Sequence, residues 1–424
     1  MRTTSALALA LTLGLPLSSC SAGDQVSVRE GTPGITEKAC PNAVNKDNGC
    51  IYLGFLTDQS STAFKATAAI GTEAQRAFWH RVNLQGGIGG YDIDATSNVL
   101  DNGYDPAKNA GALRASKDKV FAYAQMFGSK PTVEALPELK RESIVTVPVS
   151  FTSEWVFAEN VLETAASYCI EAMNGIDYAV AAFPKKGFEV DSVLAVHYPG
   201  DYGADAAGGA RRAAQAHGLA FEDITVMPGL TPSSDAIKKI IEKRPSLVML
   251  SVGPPDTAAI VGAASKGGYR GRYIGSNPGW SPKLLQTAAG PAFQKQYWQA
   301  TVAREFATDS PGHAAMRKAL KQVAPSDTYV SGWILSYPLK AALEQAAASG
   351  ELSRQSLLEA VRHLKPVDYE GMLPPGDPGP RRGPRQSTIG HADPTQYSGI
   401  RSDTDFFEGS TSKKFSFDKP CYAT

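Results

Sequence analysis

The 424-residue chain reads as an α/β protein of two lobes, each built on a parallel sheet flanked by helices. Two observations predict this. From residue 51 to about 277, short apolar runs alternate with helical stretches of about ten to fifteen residues, the pattern of strand–helix–strand units with right-handed crossovers. The alternation also falls into two runs that divide near residue 165. The bulk properties agree with a globular chain: hydrophobic residues make up 42%, and 42 Lys+Arg balance 42 Asp+Glu. That balance lacks the basic excess of a nucleic-acid binder, so no nucleic acid is expected as partner.

The N-terminus comes first in the chain. MRTTSALALALTLGLPLSSC (1–20) carries one early charge, Arg2, an apolar run from Ala6 to Leu15, and then Leu17-Ser18-Ser19-Cys20. This fits an export signal and is too short to span a bilayer core of about 30 Å. Small residues before a cysteine resemble the lipobox of bacterial lipoproteins, which implies that Cys20 is lipidated and that residues 21–47 are a tether. Four cysteines remain: Cys40, Cys50, Cys169 and Cys421. An even number in an exported chain points to disulfides, and four cysteines allow three pairings. Cys40–Cys50 closes a short loop containing Pro41, Asn48 and Gly49, and is the favoured pair; Cys169–Cys421 follows by elimination. No CxxC or neighbouring histidine supports a metal site.

In the first run, 51–56 (IYLGFL) is a buried strand and 72–84 (TEAQRAFWHRVNL) a helix with Thr72 as N-cap. GGIGGYDID (86–94) then needs a decision, because glycine runs can cradle phosphates. A phosphate loop places its glycines between a strand and the N-terminus of a helix. Here they follow a helix, at the end that repels anions, and precede an alternating strand. They are a turn. Helix 105–118, strand 119–127, helix 131–142 and strand 143–150 follow, then one long helical stretch over 156–183. The second run has strands at 192–199, 220–228, 246–252 and 273–277, with helices at 203–218, 235–244 and 256–268. Later helices are expected at 313–324, 328–349 and 353–364, and 373–386, rich in Pro, Gly and Arg, is a loop.

Catalytic apparatus is scarce. The sequence has no GxxxxGK[ST], no HExxH and no GxSxG. Acidic pairs such as Asp92/Asp94 and Asp403/Asp405 are spaced like solvated charges. These absences shift weight from an enzyme towards a binding protein with a cleft at the carboxyl ends of its strands. No cofactor is called for.

Five segments carry a family resemblance: NLQGGIGGYDI (83–93), LDNGYDPAKNA (100–110), HYPGDYGADAAGGAR (197–211), GAASKGGYRGRYIGS (262–276) and YVSGWILSYPLKAALEQA (329–346). Their order and spacing, from about residue 50 to 365, resemble type I periplasmic-type solute-binding proteins, in particular the leucine/isoleucine/valine-binding branch that serves ABC importers. The resemblance implies two Rossmann-like lobes joined by three hinge crossings, with a small-molecule ligand clamped between them. On this reading the first lobe is 48–164 plus about 306–350, and the second 165–305 plus about 351–424. The partners implied are an ABC transporter permease and, through Cys20, the outer face of the cell membrane. Phe64, Gly128, Ser129, Ser150, Thr152, Tyr202, Asn277 and Trp280 fall on the family's contact loops.

Two departures shape the ligand expectation. Amino-acid binders of the family hold the ligand's ammonium with an acid in the second lobe, and this chain has the neutral Asn277 there. A neutral amide does not compensate a buried cation as a carboxylate does. The loops around the expected cleft are also aromatic: Phe64, Phe127, Phe151, Trp155, Tyr202 and Trp280. The expected ligand is amino-acid-like, or an aromatic or apolar carboxylate or amide, with no α-ammonium required. The competing classes are a ligand-binding sensor subunit for a membrane receptor and a secreted α/β enzyme.

Overall fold

The computed structural model of the chain describes residues 25–61, 64–228, 234–320, 324–376 and 383–423. The expected export signal, Cys20 and the start of the tether lie outside them. The first lobe begins with β1 (Ser27–Val28) and β2 (Ile35–Thr36), followed by β3 (Gly49–Thr57), α1 (Lys65–Leu84), β4 (Tyr91–Asp101), α2 (Pro106–Ser116), β5 (Ala122–Phe127), α3 (Ser129–Arg141) and β6 (Thr146–Val149). β3 is its central strand, parallel to β4 on one side and β5 on the other, with β6 beyond β5 and β2 antiparallel against its start. Helices cover both faces, so β3 is buried along almost its whole length, as its unbroken apolar run requires.

α1 starts seven residues before the expected cap. Thr72 is inside the helix, its hydroxyl 2.8 Å from the Ala68 carbonyl, and Phe64 is the N-cap. The alanine-rich 66–70 extends the helix. The glycine run is the turn it reads as. Gly86, Gly87, Gly89 and Gly90 all have positive φ, and a side chain on Gly87 would meet the Tyr91 carbonyl.

The first crossing differs from expectation. Residues 156–167 are not helical: a 3-10 turn over Ser153–Phe157 leads into an extended stretch, and α4 spans only Tyr168–Ala182, capped by Ser167. Tertiary pairing overrides helix propensity here. Thr146 at the sheet edge exchanges backbone bonds with Asn160 and Leu162, and the Asn160 amide donates to the Ile144 carbonyl.

The second lobe continues with β7 (Ser192–His197), α5 (Gly200–Ala216), β8 (Ala220–Thr225), α6 (Ser234–Lys243), β9 (Leu247–Ser251), α7 (Pro254–Lys266), β10 (Arg272–Gly275), α8 (Gly290–Gln296) and β11 (Tyr297–Thr301). Its parallel strands run in the order β8-β7-β9-β10-β11. The chain then returns to the first lobe as α9 (Pro311–Ala319), α10 (Asp327–Ile334), α11 (Ser336–Ala348), β12 (Glu351–Leu352) and α12 (Arg354–Arg362). α9 and α10 pack on α1, β12 pairs with β1, and α12 packs on α11. The segment from 351 to 362 therefore stays with the first lobe rather than joining the second. The final crossing leads to β13 (Thr388–Ala392), antiparallel to β11, to β14 (Ile400–Ser402), antiparallel to β13 at the sheet edge, and to α13 (Ser410–Lys414) on α4 and α5.

Both expected disulfides are present, Cys40–Cys50 and Cys169–Cys421, the second tying the tail to α4. Arg385, in the expected Pro/Gly/Arg loop, pairs with Glu408; residues 377–382 of that loop lie outside the described residues. Among the described residues no helix is long and apolar enough to cross a membrane.

Candidate functional site

The strand ends of the two lobes face each other across one cavity, with about 990 Å³ of empty space, its mouth included. Each strand end delivers a loop to it. Phe64 follows β3, Gly128 and Ser129 follow β5, and Ser150 and Phe151 follow β6. From the second lobe come Tyr202 in the first turn of α5, and Asn277 and Trp280 after β10.

Seven of the eight expected contact residues thus line one cavity. The exception is Thr152, which is buried away from it and caps the 3-10 turn by accepting from the Glu154 N–H. Trp155 also departs from expectation. It packs with Ala158 and Val161 in a separate small cluster and donates to the Ser150 carbonyl at 3.0 Å.

Polar groups gather where α3 begins. Gly128, at φ 96°, lets the backbone pass so close to Tyr104 that a Cβ would stand 2.7 Å from its ring. Ser129 opens the helix, whose first N–H groups have no partner within it. Beside it, the buried Ser150 hydroxyl has no hydrogen-bond partner among the described residues. Helix dipole, free N–H groups and an unspent hydroxyl together suit an anion.

The walls are aromatic. Phe64 lies 5.0 Å from Tyr104 and 6.2 Å from Phe127, and Tyr168 lies 4.7 Å from Tyr202. The Tyr202 hydroxyl is held by Ser276 at 2.9 Å, which leaves its ring to the cavity. Trp280 stacks on Tyr297 and donates to the Ser398 carbonyl at 2.8 Å.

Two acids complete the site. Behind Asn277, the buried Glu171 accepts the Asn277 N–H at 2.9 Å, while its other oxygen has no partner; burial pushes its carboxyl up to about 8. Asp327, in the first turn of α10, lines the cavity itself. It accepts the Phe306 N–H at 2.8 Å, and burial pushes it up to about 7. The sequence reading missed Asp327, Ser398 and the cavity-lining face of α10. They reach the cleft through the second and third crossings, where no strand-end pattern marks them. Among the described residues there is no cluster of three potential metal ligands.

A family model described as periplasmic binding protein matches residues 51–390. Among solved structures, a fatty acid ABC transporter substrate-binding protein from Thermomonospora curvata is similar at 25% identity, covering 92% of this chain and 97% of that one, with a TM-score of 0.82. A branched chain amino acid ABC transporter from Thermus thermophilus with bound valine shares 17% identity over 87% of this chain and 98% of that one, at TM-score 0.73. A possible leucine/isoleucine/valine-binding protein from Rhodopirellula baltica SH 1 shares 17% identity over 84% and 96%, at TM-score 0.72. A search of curated protein sequences finds no match.

Proposed function

Because the chain belongs to the periplasmic binding protein family, we propose that it is a lipid-anchored, extracytoplasmic solute-binding protein that captures an apolar carboxylate and delivers it to an ABC permease. The observation that carries the ligand reading is the cavity itself. An anion-suited corner at Ser129 and Ser150 adjoins walls of Phe64, Tyr104, Tyr168, Tyr202 and Trp280.

In this reading the carboxylate takes the Ser150 hydroxyl and the first N–H groups of α3. The body lies against the aromatic rings, and Tyr202, Asn277 and Trp280 meet it from the second lobe. Contacts from both sides stabilise the closed arrangement over the open one, which is the mechanism of capture. Energy for transport comes from a separate ATPase. The fatty acid named for the Thermomonospora curvata protein supports an apolar carboxylate; the valine bound by the Thermus thermophilus protein marks the competing ligand class. Cys20, at the end of the lipobox-like run, is the anchoring residue.

The test is a thermal-shift screen of the protein lacking residues 1–20, against aliphatic and aromatic carboxylates, amides and amino acids. A ligand at about 100 times its dissociation constant adds roughly 2.7 kcal/mol and raises the midpoint. Hits among carboxylates without an ammonium group support the reading; hits confined to leucine, isoleucine and valine overturn it.

A further inference from the structure

The cavity does not stop at the cleft. It continues into the first lobe between two helices, lined by Thr67 and Gly71 of α1 and by Thr328, Ser331 and Gly332 of α10, with Leu335 just beyond. Phe64, Thr67 and Gly71 stand three and four residues apart, on one face of α1 over about 10 Å. The α10 residues likewise share one face.

Both helices start at the cavity, where Phe64, Asp327 and Thr328 line it. Further along, Gly71 meets Gly332, and the Phe78 ring lies 5.2 Å from Trp333 of α10 and 4.8 Å from Tyr337 of α11. Both N-terminal ends therefore open on the cleft, and the groove between them is blind. It closes where the backbones touch: a Cβ on Gly332 would stand 2.6 Å from the Gly71 carbonyl oxygen and 2.7 Å from its Cα. Behind that contact Phe78, Trp79, Trp333 and Tyr337 fill the space. Among the described residues, the ionisable group lining this part of the cavity is Asp327, at the start of α10.

From Thr67 and Thr328 to Gly71 and Gly332 this groove runs four residues along each helix, about 6 Å, the reach of about four or five methylenes of an unbranched chain. We propose that this groove takes the chain of a straight-chain carboxylate whose head group stays at Ser129 and Ser150, and that the Gly71–Gly332 contact sets the longest chain accommodated. This rests on the carboxylate reading above and adds to it the shape of the ligand and the residues that measure it.

The experiment is a calorimetric series with straight-chain acids from butanoate to dodecanoate, together with benzoate, on the protein lacking residues 1–20 and on Ser331→Leu, Ser331→Ala and Thr67→Leu. Each methylene that enters the groove should tighten binding about fourfold, the equivalent of the ordinary burial of one CH₂, until the series levels off. Ser331→Leu should bring that levelling to shorter chains and weaken the longest acids tenfold or more, with butanoate unchanged. Ser331→Ala, which adds no bulk, should not bring the levelling to shorter chains. Thr67→Leu, on the facing helix at a half-buried position, should repeat the effect of Ser331→Leu, so a folding defect in one variant leaves the other to decide. Affinity independent of chain length, or equal loss at every length in both leucine variants, overturns the groove. Binding of benzoate without any straight-chain acid overturns the groove and leaves the carboxylate reading standing. Absence of binding by every acid overturns both.

Discussion

Ser150 concentrates the account at the residue scale. Among the described residues its buried hydroxyl has no partner, a state that costs about 1–3 kcal/mol unless something fills it. If a ligand carboxylate does so, Ser150→Ala should weaken binding by about ten- to a hundredfold, the worth of a hydrogen bond to a charged group, while the empty protein becomes no less stable, gaining up to about that cost. Calorimetry and thermal melts on the same variant separate the two effects. Glu171 supports a different prediction. Burial holds its folded carboxyl at about 8 against an ordinary 4.5, so between those values the folded state binds the extra proton. Its contribution to stability is therefore complete below about pH 4.5 and is lost as pH climbs through 8. Asp327 acts in the same direction up to about 7. The melting midpoint should fall from pH 5 to pH 8, and Glu171→Gln should flatten that fall; a midpoint that rises over this range would contradict the buried placement. The family resemblance put Phe64, Gly128, Ser129 and Ser150 on contact loops, and each lies on the cavity after a first-lobe strand. It misplaced Thr152, whose hydroxyl is taken up by capping the 3-10 turn at Ser153–Phe157. Asp327 had no signal at all: its position depends on how a returning helix packs.

Among elements, the strands and helices from residue 192 to 277 follow the sequence pattern closely: β7 and β9 are buried apolar runs, while β8, at the sheet edge, is mostly exposed. The stretch 156–183 misled because its alanines and glutamates favour helix, while the open edge at Thr146 offered Asn160 and Leu162 better backbone partners. Nor was the position of 351–362 legible, since a two-residue pairing of β12 with β1 decides it. The tail is held by few elements of its own. Cys421 bonds covalently to Cys169, its N–H reaches Ser153, and Ser153 is held by Asp205. The Cys169–Cys421 bridge closes a span of 252 residues, and such long loops gain most from a cross-link, typically about 2–4 kcal/mol. Replacing both cysteines by serine should lower the unfolding free energy by about that amount in denaturant melts, more than the same change at Cys40 and Cys50, whose span is 10 residues.

In the whole molecule, two sheets of opposite lobes aim strand ends at one cavity, and three segments cross between the lobes. The antiparallel β13 and β14 extend the second sheet, and the loop between them brings Ser398 to the cavity wall and to Trp280. A ligand touching both lobes therefore also couples the chain's last third to the first. The central claim is that this cavity binds a carboxylate without needing an ammonium group. Titrating octanoate into the protein in a calorimeter tests it most directly, with leucine and valine as controls. The account predicts saturable binding of one octanoate per chain, with a negative heat-capacity change from the buried apolar chain and a marked loss of affinity in Ser150→Ala. Tight binding of leucine or valine with no heat from octanoate would contradict it.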